Sequence, residues 1–206
     1  MKQKHFINSQ KILTFIVVLI LIAIYDQWHN ETAWVYMALH GTYGWLWMIK
    51  SRIFPDKSWE AKASLGLGLV YWAGLTLFWI NPWLIISRGV QAPAWYLGMC
   101  VSMTVFGMFT HFVSDMQKYT ALRLNPENLI TDGMLGRVRN MNYFGELLVY
   151  LGFGLLAMHW LPIAILVAYV IFVWTPFMLR KERSLSRYPN FESYKQRSKF
   201  FIPFIW

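Results

Sequence analysis

The sequence predicts an all-α integral membrane protein with about six transmembrane helices, both termini in the cytoplasm and a cytoplasmic, amphipathic C-terminal tail. Of its 206 residues, 57% are hydrophobic and only 14% are charged, whereas soluble domains carry about a quarter charged residues. The single cysteine, Cys100, excludes an internal disulfide framework and a thiolate metal cluster. The length fits one domain, so we treat residues 1–206 as a single membrane domain.

Six apolar stretches divide the chain. The first is short, and the other five approach the ~20 residues that cross a bilayer. The six stretches are residues 12–25, 33–49, 63–80, 94–113, 143–160 and 162–179. The first follows a basic start without a signal-peptide cleavage site, so we expect an uncleaved helix with Lys11 and Trp28 at the interfaces. The short run 83–86 after Asn81-Pro82 is expected to be a surface or re-entrant piece.

The basic residues test this topology. If the N-terminus is inside and the spans alternate, all of the 19 Lys and Arg residues except Arg88 lie on the cytoplasmic side, which is the positive-inside pattern. The net charge of +9 therefore needs no nucleic-acid partner, and the expected partners are membrane lipids. The absence of an organelle signal fits a bacterial inner membrane, although an endoplasmic reticulum protein could look the same.

Polar side chains in the second predicted span share one helical face, because their spacing is four, three and four residues. They are Tyr36, His40, Tyr43 and Trp47. Gly41 and Gly44 leave room beside His40. The face is either a pocket wall with a proton donor or a packing surface in which His40 bonds to a neighbour, and the sequence leaves both open.

Two further polar sets lie near predicted cytoplasmic ends. His111, Asp115 and Lys118 share a face after the fourth span, as a site or as a solvated helix end with an ion pair. Asn142, Glu146 and Tyr150 share a face of the fifth span, where the helix N-terminus favours a carboxylate. A buried Glu146 needs a partner, which Arg139 or the basic tail could supply; the alternative is a topological charge cluster.

The tail, residues 180–206, interleaves basic residues with Tyr and Phe. It is typical of a surface segment that binds anionic lipid headgroups, and it could equally close over a phosphate-bearing cofactor. The chain has no glycine-rich nucleotide motif. Its five histidines show no ligand spacing, so we expect no metal site.

Three motifs together resemble the C-terminal domain of the steroid 5-alpha-reductase family over roughly residues 100–206. They are Ser114-Asp115-x-Gln117-Lys118, Leu129-Ile130-x-Asp132-Gly133 and Arg139-x-x-Asn142-Tyr143-Phe144-Gly145-Glu146. The ending, Tyr194-x-x-Arg197 to Phe201-Ile202-Pro203-Phe204, is also similar. The resemblance implies a membrane-embedded, NADPH-dependent reductase of a lipophilic enone, steroid-like or isoprenoid-like, or of a related activated C=C bond.

The same superfamily includes sterol C14 reductases and isoprenylcysteine carboxyl methyltransferases, and the latter use S-adenosylmethionine. Asn142 and Glu146 fit the reductase pattern, whereas Glu182-x-x-Leu185 resembles the methyltransferase tail. The alternative is therefore a methyltransferase acting on a lipid or prenylated substrate.

The resemblance implies that Asp115, Asn142, Tyr143 and Glu146 contact the cofactor and that the basic tail holds its phosphates. The full predicted cofactor set is His111, Asp115, Lys118, Arg139, Asn142, Tyr143, Glu146, Arg180, Glu182, Tyr188, Tyr194 and Arg197. The Gln-Glu pair of the steroid enzymes has no clear equivalent, so His40 or Tyr43 is the expected proton donor. Residues 12–93 would form the substrate pocket and residues 94–206 the cofactor core. Substrate would enter from the bilayer and cofactor from the cytoplasm.

Overall fold

The computed structural model describes residues 1–205, and these contain helices and no β-strand. The α-helices are α1 (Gln3–Ile24), α2 (Glu31–Ile53), α3 (Leu65–Thr76), α4 (Ile80–Ser87), α5 (Ala94–Leu124), α6 (Gly133–Arg137), α7 (Met141–Leu156), α8 (Trp160–Tyr169), α9 (Thr175–Leu185) and α10 (Phe191–Arg197). The all-α prediction is confirmed for this part of the chain.

Within residues 1–205, four helical runs are long and apolar enough to cross a bilayer. They are Gln3–Ile24, Leu65–Ser87, Ala94–Leu124 and Trp160–Leu185, and they mark an integral membrane protein. Helix α7 is apolar but shorter. Helix α2 has 23 residues but is not among the four, since His40 and its many Trp, Tyr, Thr and Gly residues keep the hydropathy of its central part low. The six-span topology stays a prediction.

The expectation that residues 83–86 form a separate piece after Asn81-Pro82 is wrong. The chain passes from α3 through the 3₁₀ turn Leu77–Trp79 into α4, which makes one helical run, Leu65–Ser87. Pro82 lies in the first turn of α4, where a missing backbone N–H costs little because the local 3₁₀ geometry already changes the hydrogen-bond pattern. Leu84, Ile85 and Ile86 are buried, so they are not a surface piece.

The last long run also changes its winding part of the way along. Helices α8 and α9 are joined by a π-helical turn, Val170–Trp174. The hydroxyl of Thr175 donates to the carbonyl of Val170 at 2.9 Å, which satisfies one of the carbonyls freed by the wider turn ahead of Pro176. The run continues to Leu185, so the first basic residues of the predicted tail are helical.

The chain divides into two compact units. Unit 1 comprises residues 1–104 and 150–165, and unit 2 comprises residues 105–149 and 166–206. In unit 1, α1 packs against α2, α3 and α4. The sequence pairs Gly66 with Gly68 and Gly152 with Gly154, a spacing that predicts close helix packing. Close packing is found at Gly68, Gly152 and Gly154, but Gly66 faces open space and that prediction is wrong.

In unit 2, α5 and α7 approach each other at two glycines. A Cβ at Gly107 would lie 2.7 Å from the carbonyl oxygen of Gly145, and a Cβ at Gly145 would collide with the backbone nitrogen of His111. The obstacles are backbone atoms, which cannot rotate away as a side chain can. The glycine of the Asn-Tyr-Phe-Gly-Glu motif is therefore required by helix packing.

Candidate active site

The predicted proton donors lie in unit 1, on the buried face of α2. Tyr36, His40, Tyr43 and Trp47 are all buried. The Tyr36 hydroxyl and the Nδ1 atom of His40 are 3.0 Å apart and share a hydrogen bond. The His40 ring stacks on Phe153, with 4.7 Å between ring centroids. His40 is thus packed and bonded to a neighbour, which is the arrangement that the packing interpretation predicted.

A lysine lies inside this aromatic cluster. Lys11 is only 2% exposed, and its Nζ atom is 4.1 Å from the ring centroid of Tyr43 and 4.4 Å from that of Trp47. The same ammonium donates to the hydroxyl of Tyr150 at 3.3 Å. Helix α1 begins at Gln3, two turns before Lys11, so the side chain extends from within a helix and packs inside the protein.

The packing of α1 on α2 explains the two small residues beside His40. A Cβ at Gly44 would lie 3.2 Å from the carbonyl oxygen of Lys11, and a Cβ at Gly41 would lie 3.1 Å from the ring of Phe15. The space that these glycines leave is filled by α1. They bring the Lys11 backbone against α2, and the ammonium group reaches the face of the Tyr43 ring from there.

The predicted cofactor residues lie in unit 2, and three of them are linked at the start of α7. The Nδ1 atom of His111 hydrogen-bonds to the backbone carbonyl of Asn142 at 2.9 Å. Its Nε2 atom lies 3.7 Å from the carboxylate of Asp115, and both side chains are buried. The amide oxygen of Asn142 is buried and has no hydrogen-bond partner within residues 1–205. A buried amide acceptor of this kind is a place where a ligand donor can bind.

The first two motifs meet at a turn. The side-chain oxygen of Gln117 accepts from the backbone N–H of Met134 at 3.1 Å, and its nitrogen donates to the carbonyl of Asp132 at 2.9 Å. Gly133 between them has a φ of 55°, which glycine adopts without strain. Gln117 thus holds the turn after the loop, so part of the family pattern is structural.

Arg139 connects three segments of unit 2. Its Nε atom lies 2.7 Å from Oε1 of Glu182 on α9, and Nη1 donates to the carbonyl and the hydroxyl of Ser198 at 2.6 and 3.0 Å. Lys181 donates to the carbonyl of Arg139 at 2.6 Å. The carboxylate that pairs with Arg139 is thus that of Glu182, and the suggested pairing with Glu146 is not the one formed.

A cavity of about 230 Å³ lies beside Arg139 and its partners. Four of the predicted cofactor residues line it: Lys118, Arg139, Tyr188 and Tyr194. Asn128 in the loop, Lys181 on α9 and Arg187 in the turn after α9 complete its polar and basic wall, and leucine and isoleucine side chains form the apolar remainder. Cations and amides in this arrangement match the phosphate and ribose groups of a nucleotide.

The remaining predicted residues have other surroundings. Tyr194 is buried and donates to the carbonyl of Leu135 at 2.6 Å, and burial raises the pKa of its phenol to about 12. The Tyr143 ring packs edge-on against Trp174. Arg180 is exposed over the ring of Phe177, and Arg197 lines a different cavity. Glu146, on α7, is half-buried.

Sequence reasoning missed several residues that the structure brings into these sites. Lys181 and Arg187 were visible only as members of a basic tail, and Asn128 as a loop residue without a motif. Lys11 was assigned to an interface because the apolar run begins after it. Residues 3–10 contain no Gly or Pro that would end a helix, and this is the signal that could have placed Lys11 inside a longer one. Among residues 1–205, no three His, Cys, Asp or Glu side chains are grouped to hold a metal ion.

Comparison with known proteins decides the family. The model of a protein family described as 3-oxo-5-alpha-steroid 4-dehydrogenase matches residues 78–206, more than half of the chain. The chain belongs to this family. The resemblance seen in the motifs is thereby confirmed. No curated protein matches the sequence significantly.

Membership of the 3-oxo-5-alpha-steroid 4-dehydrogenase family implies a membrane oxidoreductase that acts on a C=C bond of a steroid-like, lipophilic substrate. The match begins inside the Leu65–Ser87 run and includes all of unit 2. It therefore contains every predicted cofactor residue, whereas His40 and Tyr43 lie before it.

Proposed function

We propose that this protein is an NADPH-dependent reductase of an activated C=C bond in a steroid-like or isoprenoid-like enone. The family supplies the reaction class. The observation that carries the cofactor assignment is the buried, unpartnered amide oxygen of Asn142, in a unit that also contains a cation-lined cavity. An amide oxygen accepts hydrogen bonds, and the carboxamide and ribose groups of a nicotinamide nucleotide donate them.

The residues present fit such a cofactor. Lys118, Arg139, Lys181 and Arg187 supply positive charge around the 230 Å³ cavity, which suits phosphate oxygens. That volume is below the ~300–1,000 Å³ of whole-ligand pockets, so the cavity would take one phosphate-bearing end. When bound, the nicotinamide would supply the hydride. The residues of unit 2 would bind and orient the cofactor.

Reduction of an enone also requires a proton, which we assign to unit 1. Tyr43 and His40 remain the proposed donors, and the structure adds Lys11 to them. A charged side chain inside a membrane segment is costly and usually functional. Here the ammonium group contacts the Tyr43 ring and bonds to Tyr150, so Lys11 would stabilise negative charge that develops on a phenol oxygen as its proton leaves.

The proposed setting is a membrane with six spans and cytoplasmic termini. The basic residues of unit 2 would then face the cytoplasm, where the nucleotide is available, and a lipophilic substrate would arrive through the bilayer. We propose a bacterial inner membrane as the location. The orientation is supported by the basic residues, since all but one of the 19 fall on the side assigned to the cytoplasm.

The first experiment is a thermal-shift titration of the detergent-purified protein with NADPH, NADH, S-adenosylmethionine and S-adenosylhomocysteine. A ligand at a hundredfold excess over its Kd stabilises the folded state by about 2.7 kcal/mol. We expect NADPH to raise the melting temperature and the two methyl-transfer ligands to leave it unchanged. Stabilisation by S-adenosylmethionine alone would reject the reductase proposal.

The matched variants are Asn142→Ala and Asn125→Ala. Asn142→Ala should weaken NADPH binding about tenfold or more, because a lost hydrogen bond to a bound ligand costs ~1–2 kcal/mol. Asn125 is exposed after α5, so its variant should bind NADPH as the unchanged protein does. Equal affinities in both variants would remove Asn142 from the site.

The methyltransferase alternative rested on Glu182 and Leu185. The contact of Glu182 with Arg139 gives Glu182 a role that needs no S-adenosylmethionine. We therefore retain the methyltransferase only as the outcome that the titration would reveal.

A further inference from the structure

A second, larger cavity in unit 2 has no role in the proposed reaction. Its volume is about 540 Å³, within the ~300–1,000 Å³ of sites for small amphiphilic ligands. It shares no lining residue with the 230 Å³ cavity. On α7, Met141 and Phe144 line it, and they lie on the side of the helix opposite Asn142 and Glu146.

One part of the cavity is basic. Arg137, Arg197 and Lys199 line it, and all three side chains are exposed. Within residues 1–205, none of the three is in an ion pair, and no acidic residue lines the cavity. Arg137 and Lys199 are held side by side, because the N–H of Lys199 donates to the carbonyl of Arg137 at 2.8 Å. The cavity therefore carries positive charge that no described acidic side chain offsets, and the backbones of Arg137 and Lys199 are held together.

The other part of the cavity is apolar. Phe106, on the bilayer-crossing run of α5, is exposed beside it, and Phe204, which is 89% exposed, lines it from the tail. Phe204 has a φ of 68°, a conformation that L residues rarely adopt. Exposed rings next to exposed cations are the chemistry of a lipid-binding surface.

A buried hydroxyl completes the site. Thr110 lines the cavity and is only 2% exposed. Its Oγ1 atom has no hydrogen-bond partner within residues 1–205. A buried hydroxyl without a partner is unusual, and its desolvation is recovered if a ligand oxygen bonds to it.

We propose that this cavity binds one anionic membrane phospholipid. Its phosphate would lie between Arg137, Arg197 and Lys199, an ester or glycerol oxygen would bond to Thr110, and an acyl chain would lie along Phe106, Phe144 and Phe204. A zwitterionic lipid would bring a cation to a site that already holds three. The bound lipid would join α5, α7 and the tail, the elements that carry the proposed cofactor residues of unit 2.

The test is native mass spectrometry of the full chain in detergent, titrated with phosphatidylglycerol and with phosphatidylcholine of the same acyl chains. We expect one phosphatidylglycerol to bind at least about tenfold more tightly than phosphatidylcholine. The double variant Arg137→Gln/Lys199→Gln should lose about tenfold or more of that affinity, and Thr110→Val should weaken it further.

The matched control is Arg123→Gln/Lys57→Gln, which removes two exposed cations outside the cavity. It should bind phosphatidylglycerol as the unchanged protein does, and melting temperatures should show that all variants fold. Equal affinity for the two lipids, or equal losses in the two double variants, would overturn the proposal. Displacement of the lipid by millimolar inorganic phosphate would also overturn it, since the site would then recognise a free anion.

Discussion

Arg139 and Glu182 form an ion pair between the segment before α7 and helix α9, with 2.7 Å between Nε and Oε1. The guanidinium group also bonds to Ser198 in the tail. Two residues that the sequence analysis predicted to bind a cofactor thus hold three segments of unit 2 together. Their contribution to folding can be separated from any contribution to binding.

Arg139→Ala should strongly destabilise the protein, because it leaves Glu182 and the Ser198 carbonyl without their cation. Removing one partner of a buried pair costs ~3–5 kcal/mol, which corresponds to a fall in melting temperature of about 10 °C for a chain of this size. Arg180→Ala is the control, since Arg180 is an exposed arginine on α9, the helix that carries Glu182. A fall in melting temperature of only about one or two degrees for Arg139→Ala would contradict the structural role assigned to this residue.

Gly145→Ala should destabilise the protein, because the added methyl group collides with the His111 backbone. Gly107→Ala, on the facing helix, should do the same. Gly98→Ala is the control, since a Cβ at Gly98 in α5 meets nothing within 4 Å and alanine is the better helix former by ~1 kcal/mol. Thermal unfolding of the three variants checks the sign: we expect two losses and one neutral or stabilising change.

Tyr43→Phe should lower kcat with an enone substrate by about 10²-fold or more while leaving the Kd for NADPH unchanged, because general-acid catalysis contributes ~10²–10⁴-fold. Tyr96→Phe is the control, because its hydroxyl bonds to the carbonyl of Leu155 and it is neither a proposed donor nor the partner of one. Single-turnover kinetics with a panel of steroid and isoprenoid enones provide the measurement. Unchanged turnover in Tyr43→Phe, with a loss in His40→Phe, would transfer the role to His40.

Lys11→Met should separate function from stability. Replacing a buried charge by an apolar side chain of similar length is often neutral or stabilising, so the melting temperature should stay the same or rise. Turnover should fall, because the ammonium group no longer contacts the Tyr43 ring or bonds to Tyr150. A variant with full turnover would make Lys11 a packing residue.

The buried phenol of Tyr194 should make the folded protein less stable at alkaline pH. Burial raises the pKa of its phenol from 10.0 to about 12, so the folded state holds this proton more tightly than the unfolded state does. The contribution is fully present below pH 10 and is lost as the pH rises toward 12. Tyr194→Phe should therefore unfold with a shallower dependence on pH in this range, and Tyr25→Phe should keep the original slope. Melting temperatures across the range give both slopes.

The sequence predicted the helical membrane fold because apolar runs near bilayer length need no tertiary information. It also predicted the shared face of Tyr36, His40 and Tyr43, which follows from helical period alone. It failed at Asn81-Pro82, since whether a proline breaks a membrane helix depends on whether the local winding can absorb it. It failed at Gly66 for a related reason: a glycine at helical spacing indicates close packing only if another helix lies opposite.

The family and its reaction class were determined by the sequence, through motifs whose residues lie close together along the chain. The tertiary structure decided which of those residues serve packing and which lie beside cavities. Lys11 became part of an aromatic cluster, Glu182 became the partner of Arg139, and Gln117 became the support of a turn. Such pairings join residues up to 139 positions apart, and local periodicity contains no information about which distant side chain completes a hydrogen bond or compensates a buried charge.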